Sequence, residues 1–292
     1  MQSPTKEGAR AMTYAITAVS GQLGREIALK SIDKLGVKDV VGLARTPHHV
    51  KDLGIKVRPG DYDKPEELRA SLQGIDALVL VSGMAAPEDR IQQHRNVIES
   101  AKAAGVRKIV YTSIQGPDKN TAFSSIVQSN RQTEADIRAS GLDWAIGRNG
   151  IYIEPDVEYI DRYRAKGEIA NSAGDGKCGY TTRSELAHAY TALVTQDDLN
   201  SRTVDLNGTP ITQEQLAEYL NAAFGANITY REMSSADFVA DRTAELGEFI
   251  GPIIGGIYDG VRLGAYDRPG DFEFVKGRSH QSWDAYFHTL SH

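Results

Sequence analysis

Thr17-Ala18-Val19-Ser20-Gly21-Gln22-Leu23-Gly24 is the stretch on which the reading of this chain turns. It lies between the apolar run Tyr14-Ala15-Ile16 and the helix-like Arg25-Glu26-Ile27-Ala28-Leu29-Lys30. A short strand passing through a glycine-containing turn straight into a helix leaves backbone N–H groups, and the positive end of the helix dipole, where a pyrophosphate can sit. From Leu23, the residues Ile27, Ala28 and Leu35 return at helical spacing, so the segment can pack on a sheet while its N-terminus faces solvent. The next strand, Asp39 to Ala44, ends in Arg45. At that strand end an acidic residue would grip a free ribose 2′-hydroxyl and an arginine suits a 2′-phosphate, so Arg45 favours NADPH over NADH. One position departs from the pattern. Ala18 stands where such turns place their first glycine, and its methyl group restricts the backbone and crowds the cofactor.

At 292 residues the chain can build one sizeable domain with a smaller lobe. A net charge of −6 without any lysine or arginine cluster argues against a nucleic-acid partner. Cys178, the one cysteine, has no partner for an internal disulfide, which fits a reducing cytoplasm, and nothing in the sequence supplies it with a base. No run approaches the roughly 18 apolar residues of a membrane span. The N-terminus lacks the apolar core of a signal peptide, so residues 1–12 read as a flexible extension. No metal site is expected.

Further strands at Ile55–Arg58, Ala77–Val81, Lys108–Tyr111 and Leu142–Ile146 alternate with helices, which implies an α/β fold with a doubly wound parallel sheet. A short helix is expected over Thr46–Lys51, where His48, His49 and Lys51 either help Arg45 hold a phosphate or simply face solvent. In the turn after the third strand Asp61 can face an adenine amino group, or Asp63 can cap the next helix. The fourth strand stops at Ser82-Gly83, on the sheet edge where a dinucleotide lies. His94 falls on an apolar helix face and reads as a core histidine, and Asn130 with Glu134 either faces the cleft or forms a packing network. The sixth strand runs into Gly147-Arg148-Asn149-Gly150-Ile151-Tyr152.

Beyond it the alternation weakens. A helix over Val157–Lys166, a strand at Glu168–Ala170, helices at 182–195 and 212–224, strands near 203–206 and 228–231, and apolar helices over Phe249–Tyr258 suggest a smaller C-terminal substrate lobe. The glycine-rich Ala173–Lys177 is rejected as a nucleoside-triphosphate loop, because no hydroxyl residue follows Lys177. The expected division is a dinucleotide-binding domain at 13–150, then 151–292 as mainly the substrate lobe with some segments returning to the first domain.

The motifs Ser20–Gly24, Arg45, Gly60-Asp61-Tyr62, Gln93–Ile98, Tyr111-Thr112-Ser113, Thr133-Glu134, Arg148-Asn149-Gly150, Ala173–Lys177 and Thr182-Arg183 follow one another in an order that resembles the NmrA-like atypical short-chain dehydrogenase/reductases, especially NADPH-dependent quinone oxidoreductases and triphenylmethane reductases. The resemblance runs from residue 14 to about 235 and fades after that. It implies that Ala18 through Leu23, with Ser20, Gly21 and Gln22 between them, line the pyrophosphate and that Arg45 meets the 2′-phosphate; Thr17 and Gly24 are expected among the cofactor-binding residues as well. Ser82, Gly83, Asn149, Gly150, Tyr152 and Arg183 would surround the nicotinamide half. A histidine common in the family's cleft-side helix is Asn130 here.

Ordinary members of this superfamily protonate a carbonyl with a tyrosine activated by a lysine four residues later. None of the thirteen tyrosines has that lysine. The absence suits a quinone or other conjugated aromatic acceptor, whose reduced oxygen is a stabilised phenolate that takes its proton from water. Direct hydride transfer from NADPH is therefore expected, with Tyr152 or Asn149 hydrogen-bonding the substrate oxygen, although a cofactor-positioning or packing role stays open for each. Two other classes also stay open: a cofactor-binding regulator without turnover, and a tailoring enzyme on an aromatic natural product whose cofactor use is altered or lost. The sequence leaves a homodimer open and does not name the acceptor.

Overall fold

In the computed structural model, which describes residues 11–291, strand and helix alternate through the first half of the chain. The order is β1 (Tyr14–Ile16), α1 (Gln22–Leu35), β2 (Val40–Ala44), β3 (Lys56–Pro59), α2 (Pro65–Ser71), β4 (Ala77–Val81), α3 (Pro87–Ala103), β5 (Lys108–Ile114), α4 (Ser124–Arg138) and β6 (Asp143–Asn149). It continues with β7 (Ile151–Tyr152), α5 (Glu154–Glu158), α6 (Ile160–Lys166), β8 (Glu168–Asn171), β9 (Tyr180–Thr181), α7 (Arg183–Thr195), β10 (Arg202–Leu206) and α8 (Gln213–Phe224). The last elements are β11 (Thr229–Glu232), α9 (Ser235–Arg262), α10 (Phe272–Lys276) and α11 (Trp283–His288). Of the expected extension at 1–12, residues 1–10 lie outside the described residues.

Seven strands form a parallel sheet in the order β10-β6-β5-β4-β1-β2-β3. Every residue of β1, β2 and β4 is buried, as a strand covered on both faces requires. One face is closed by α1, α7 and α10 through Leu23, Ile27, Leu186, Tyr190, Leu193 and Phe272. The other is closed by α2, α3 and α4 through Leu68, Leu72, Val97, Ile98 and Ile137. Because the chain leaves β1 towards β2 and returns on the other side at β4, a crevice opens between the carboxyl ends of these two strands, and there an α/β sheet takes its ligand.

A third core of Ile153, Ile169, Cys178, Tyr180, Leu216, Leu220, Ile228, Tyr266, Trp283 and Phe287 builds the C-terminal lobe, beside the parallel pairs β11–β8 and β7–β9. A small cluster at Phe123, Ile126 and Val127 receives Ile253 and Ile257 of α9, so this long helix bridges the lobe to α4.

Several expected elements differ. The strand near 203–206 belongs to the main sheet, where Leu206 pairs with Asn149, and the sheet has seven strands because of it. The single helix expected over 157–166 is two, α5 and α6, divided at Tyr159. The helix expected at 46–51 shrinks to one 3-10 turn, Pro47–His49. The apolar residues 249–258 are the second half of α9, which breaks at Gly247 with φ +84°. Among the described residues no helix is long and apolar enough to cross a membrane.

Candidate active site

The turn after β1 is shaped by its backbone. Ala18 adopts φ +52°, the left-handed conformation that glycine takes at no cost. Its carbonyl accepts the Gly21 N–H at 2.9 Å, which closes the turn. A Cβ on Gly24 would sit 2.4 Å from the Ala18 carbonyl oxygen, so only glycine lets α1 start this close to the strand. Gly21 differs: a Cβ there would meet the protein only at 3.4 Å, so its bareness leaves room above the turn.

Gly21 caps α1 in extended conformation without any side-chain acceptor, and the first turn holds no acidic residue. The N-terminal amides and the helix dipole are thus uncompensated, as a cradle for a pyrophosphate demands. Ser20 and Gln22 are exposed at its rim, whereas Leu23 points into the core and offers only its backbone.

Thr17 sits below the cradle. Its hydroxyl takes the Val81 N–H at 2.9 Å and contacts the Tyr62 hydroxyl at 2.5 Å, and Tyr62 donates to the Val81 carbonyl at 2.8 Å. This closed ring ties β1 to β4 across the crevice floor, so the Thr17 side chain supports the site and is not free to bind phosphate.

Arg45 follows β2, exposed and with neither ion pair nor hydrogen bond among the described residues, although nearby Arg25 is locked to Asp52 at 2.6 Å. His48 and His49 are exposed beside it. Asp61 accepts the Asp63 N–H at 3.2 Å and so caps its own turn. Asp63 does not cap α2; Lys64 holds that position, and the Asp63 carboxylate is taken by Gln93 at 3.0 Å.

At the end of β4 the Gly83 N–H donates to His94 Nε2 at 3.0 Å, and His94 Nδ1 faces Thr133 at 2.9 Å. Burial, helped by the Arg90 charge, pushes the His94 pKa down to about 3, so it is the neutral core histidine that its helix face implied. The Ser82 hydroxyl and the Tyr111 hydroxyl both donate to Asn130 Oδ1, at 3.3 and 2.6 Å. Asn130 is therefore spent inside the protein.

Glu134 lies fully buried among Arg131, Arg138 and Arg148, at 2.9, 3.0 and 2.7 Å. Burial alone would raise its pKa, but the hydrogen bonds from Arg148 and Ser113 and the arginine charges outweigh it and hold the carboxyl at about 2. Of the two readings of this pair, the packing network is the one the geometry supports.

The third group comes from β6 and β7. Asn149, 3% exposed, donates from Nδ2 to the Tyr152 hydroxyl at 3.1 Å and accepts from Tyr190 at 2.5 Å. Burial pushes the Tyr152 phenol up to about 12, against the opposing pull of Asn149 and Arg183. The Arg183 guanidinium lies 5.4 Å from the Tyr152 ring centre, while its backbone N–H is held by Glu154 at 2.7 Å. Gly150 is a close-approach residue: a Cβ would fall 2.2 Å from the Gly179 carbonyl oxygen.

The sequence pointed to neither Tyr190 nor Arg90, and to Tyr62 only as part of the motif Gly60-Asp61-Tyr62, with no role for its hydroxyl. Tyr190 had a signal, since a tyrosine on the inward face of a helix has to find a partner for its hydroxyl.

Residues 19–197, more than half of the chain, match the family described as NAD(P)H-binding. The chain belongs to that NAD(P)H-binding family. It is 34% identical over 230 residues to Quinone oxidoreductase 2 of Escherichia coli K12, covering 77% of this chain and 79% of the relative. It is 30% identical over 236 residues to the NmrA-like oxidoreductase flvB of Aspergillus flavus, covering 78% and 76%. The structure of the Escherichia coli NADPH-dependent quinone oxidoreductase QOR2 complexed with NADPH superimposes with a TM-score of 0.87 at 28% identity, covering 96% of this chain and 100% of that one. This NAD(P)H-binding chain is thus an NmrA-like NAD(P)H-dependent oxidoreductase. The uncapped amides of α1, the space over Gly21 and the unpaired Arg45 fit a phosphorylated dinucleotide.

Proposed function

We propose that this oxidoreductase reduces a quinone, or a similarly conjugated planar aromatic, by direct hydride transfer from NADPH. The observation that carries the reading is the Tyr152 hydroxyl. Its oxygen already accepts from Asn149 Nδ2, and no group among the described residues accepts its own proton. A donor with a free proton, at the carboxyl edge of the sheet and under a guanidinium, suits an acceptor oxygen on which negative charge develops. Among the described residues no lysine stands beside it to make it a strong acid, and a quinone does not need one, because its reduced oxygen is a delocalised phenolate. The relative named as a quinone oxidoreductase supports the same acceptor class.

In this reading bound NADPH supplies the hydride, and the rest falls to the protein. The backbone from Ala18 to Gly24 would hold the pyrophosphate and Arg45 the 2′-phosphate. Ser82, Gly83 and Gly150 would flank the nicotinamide half, and Asp61 would lie towards adenine. Residues 13–150 would serve mainly the cofactor and 151–292 mainly the acceptor. Tyr152 orients the acceptor, and the proton that completes the hydroquinone comes from water.

NADPH consumption against a panel of benzo- and naphthoquinones tests this. Turnover that falls on Tyr152→Phe while NADPH affinity holds is expected, and absence of turnover with every acceptor would refute it.

A further inference from the structure

We infer that Tyr190, a residue with no access to substrate, sets Tyr152 as a hydrogen-bond donor by fixing the direction of the Asn149 amide between them. The inference rests on the acceptor reading above and extends it to a positioning residue. Tyr190 is fully buried on α7, and its hydroxyl lies 2.5 Å from Asn149 Oδ1 and 2.9 Å from the Gly147 carbonyl oxygen. The other end of the amide, Nδ2, lies 3.1 Å from the Tyr152 hydroxyl. These lengths give the direction. Contacts of O–H···O type cluster at about 2.7–2.8 Å and those of N–H···O type at about 2.9–3.0 Å, so the short contact joins hydroxyl to oxygen and the long one carries the amide nitrogen.

Tyr190 therefore donates to Asn149, and Asn149 donates to Tyr152. The Tyr152 oxygen, already occupied by a donor, sends its proton elsewhere. With the amide turned over, Asn149 Oδ1 would take the Tyr152 proton, its Nδ2 would donate to the Tyr190 oxygen while Tyr190 donates to the Gly147 carbonyl, and Tyr152 would have nothing to offer a quinone oxygen.

Two further features serve the relay. Gly147 makes room for it, since a Cβ there would fall 2.5 Å from the Tyr190 hydroxyl. The Asn149 backbone is pinned from both sides: its carbonyl accepts the Gln115 N–H at 2.8 Å, and its place in β6 pairs with Leu206. What freedom remains is rotation about the last side-chain bond, and the 2.5 Å contact with Tyr190, too short for an amide nitrogen, keeps the amide oxygen on that side. In the reaction a hydride moves to the quinone, the Tyr152 hydroxyl donates a hydrogen bond to the oxygen on which charge develops, and water supplies the proton that completes the hydroquinone. Overall, NADPH, quinone and H⁺ become NADP⁺ and hydroquinone.

A double-mutant cycle of Tyr152→Phe and Tyr190→Phe, read as kcat with a naphthoquinone, tests the relay. Each single change is expected to lower kcat about tenfold with the KM for NADPH unchanged, and the double variant to be no slower than Tyr152→Phe alone. Losses that multiply would overturn the inference, because Tyr190 would then act independently of Tyr152. A second readout needs no turnover. In the substrate-free protein the Asn149 Nδ2 protons should show a nuclear Overhauser effect to the Tyr152 ring; one to the Tyr190 ring instead would mean the amide faces the other way and would equally overturn it. Should no quinone be reduced by the unaltered protein, the acceptor reading falls, while the amide direction is still decided by this measurement.

Discussion

Ala18 holds φ +52° next to the phosphate turn, and a methyl group in that conformation is strained by roughly 1–2 kcal/mol. Ala18→Gly is expected to raise stability by roughly 1 kcal/mol, seen as a higher urea midpoint, and to tighten NADPH in calorimetry. Arg45 is an exposed cation without a partner among the described residues, so removing it leaves their contacts intact. Arg45→Ala should weaken NADPH about tenfold or more and leave NADH nearly unchanged, because only the former carries the 2′-phosphate.

Glu134 makes the opposite case, a fully buried carboxylate among three arginines. Its folded pKa of about 2 lies below the ordinary value of 4.5, so its contribution is present above pH 4.5 and disappears as pH falls towards 2. That contribution is on the order of 3 kcal/mol. Urea midpoints of Glu134→Gln and the unaltered protein should differ most near pH 7 and converge near pH 2; a constant gap would show that the charge is not what stabilises.

Helix α1 meets β1 at the glycine-rich turn, and Gly24 is where the two elements nearly touch. Gly24→Ala should push the start of the helix off the turn, costing NADPH affinity more than it costs the melting temperature. Titration beside thermal unfolding separates the two effects.

That turn was legible from the residues alone, as were the strands β1, β2 and β4, because a short apolar strand, a glycine turn and an amphipathic helix are local patterns. What escaped depends on distance. Nothing local in Thr203–Leu206 tells whether it extends the main sheet or the lobe; the pairing of Leu206 with Asn149 decides that. Asn149 and Tyr152 were legible as a pair, but not that Tyr190 finds its partner in Asn149, since α7 reaches β6 only through the fold. The break in α9 at Gly247 was hidden by an apolar pattern that continues on both sides of it.

In the molecule as a whole the sheet is not finished by the first half of the sequence. Its outer strand β10 and the helices α7 and α10 that cover one face all come after residue 182. A fragment of residues 13–150 would expose Ile16, Ile27 and Val79 where α7 should lie, and it is expected to be unfolded or aggregated by circular dichroism and size exclusion. A soluble, cooperatively melting fragment would contradict this account of the core.

The same late closure bears on how the protein is made. Phe272 and Val275 seal a face that Tyr14 and Ile16 open, so this face of the nascent chain cannot settle until α10 has followed every other element that lines it. Until then the half-built sheet keeps an apolar face bare, the kind of surface through which nascent chains clump.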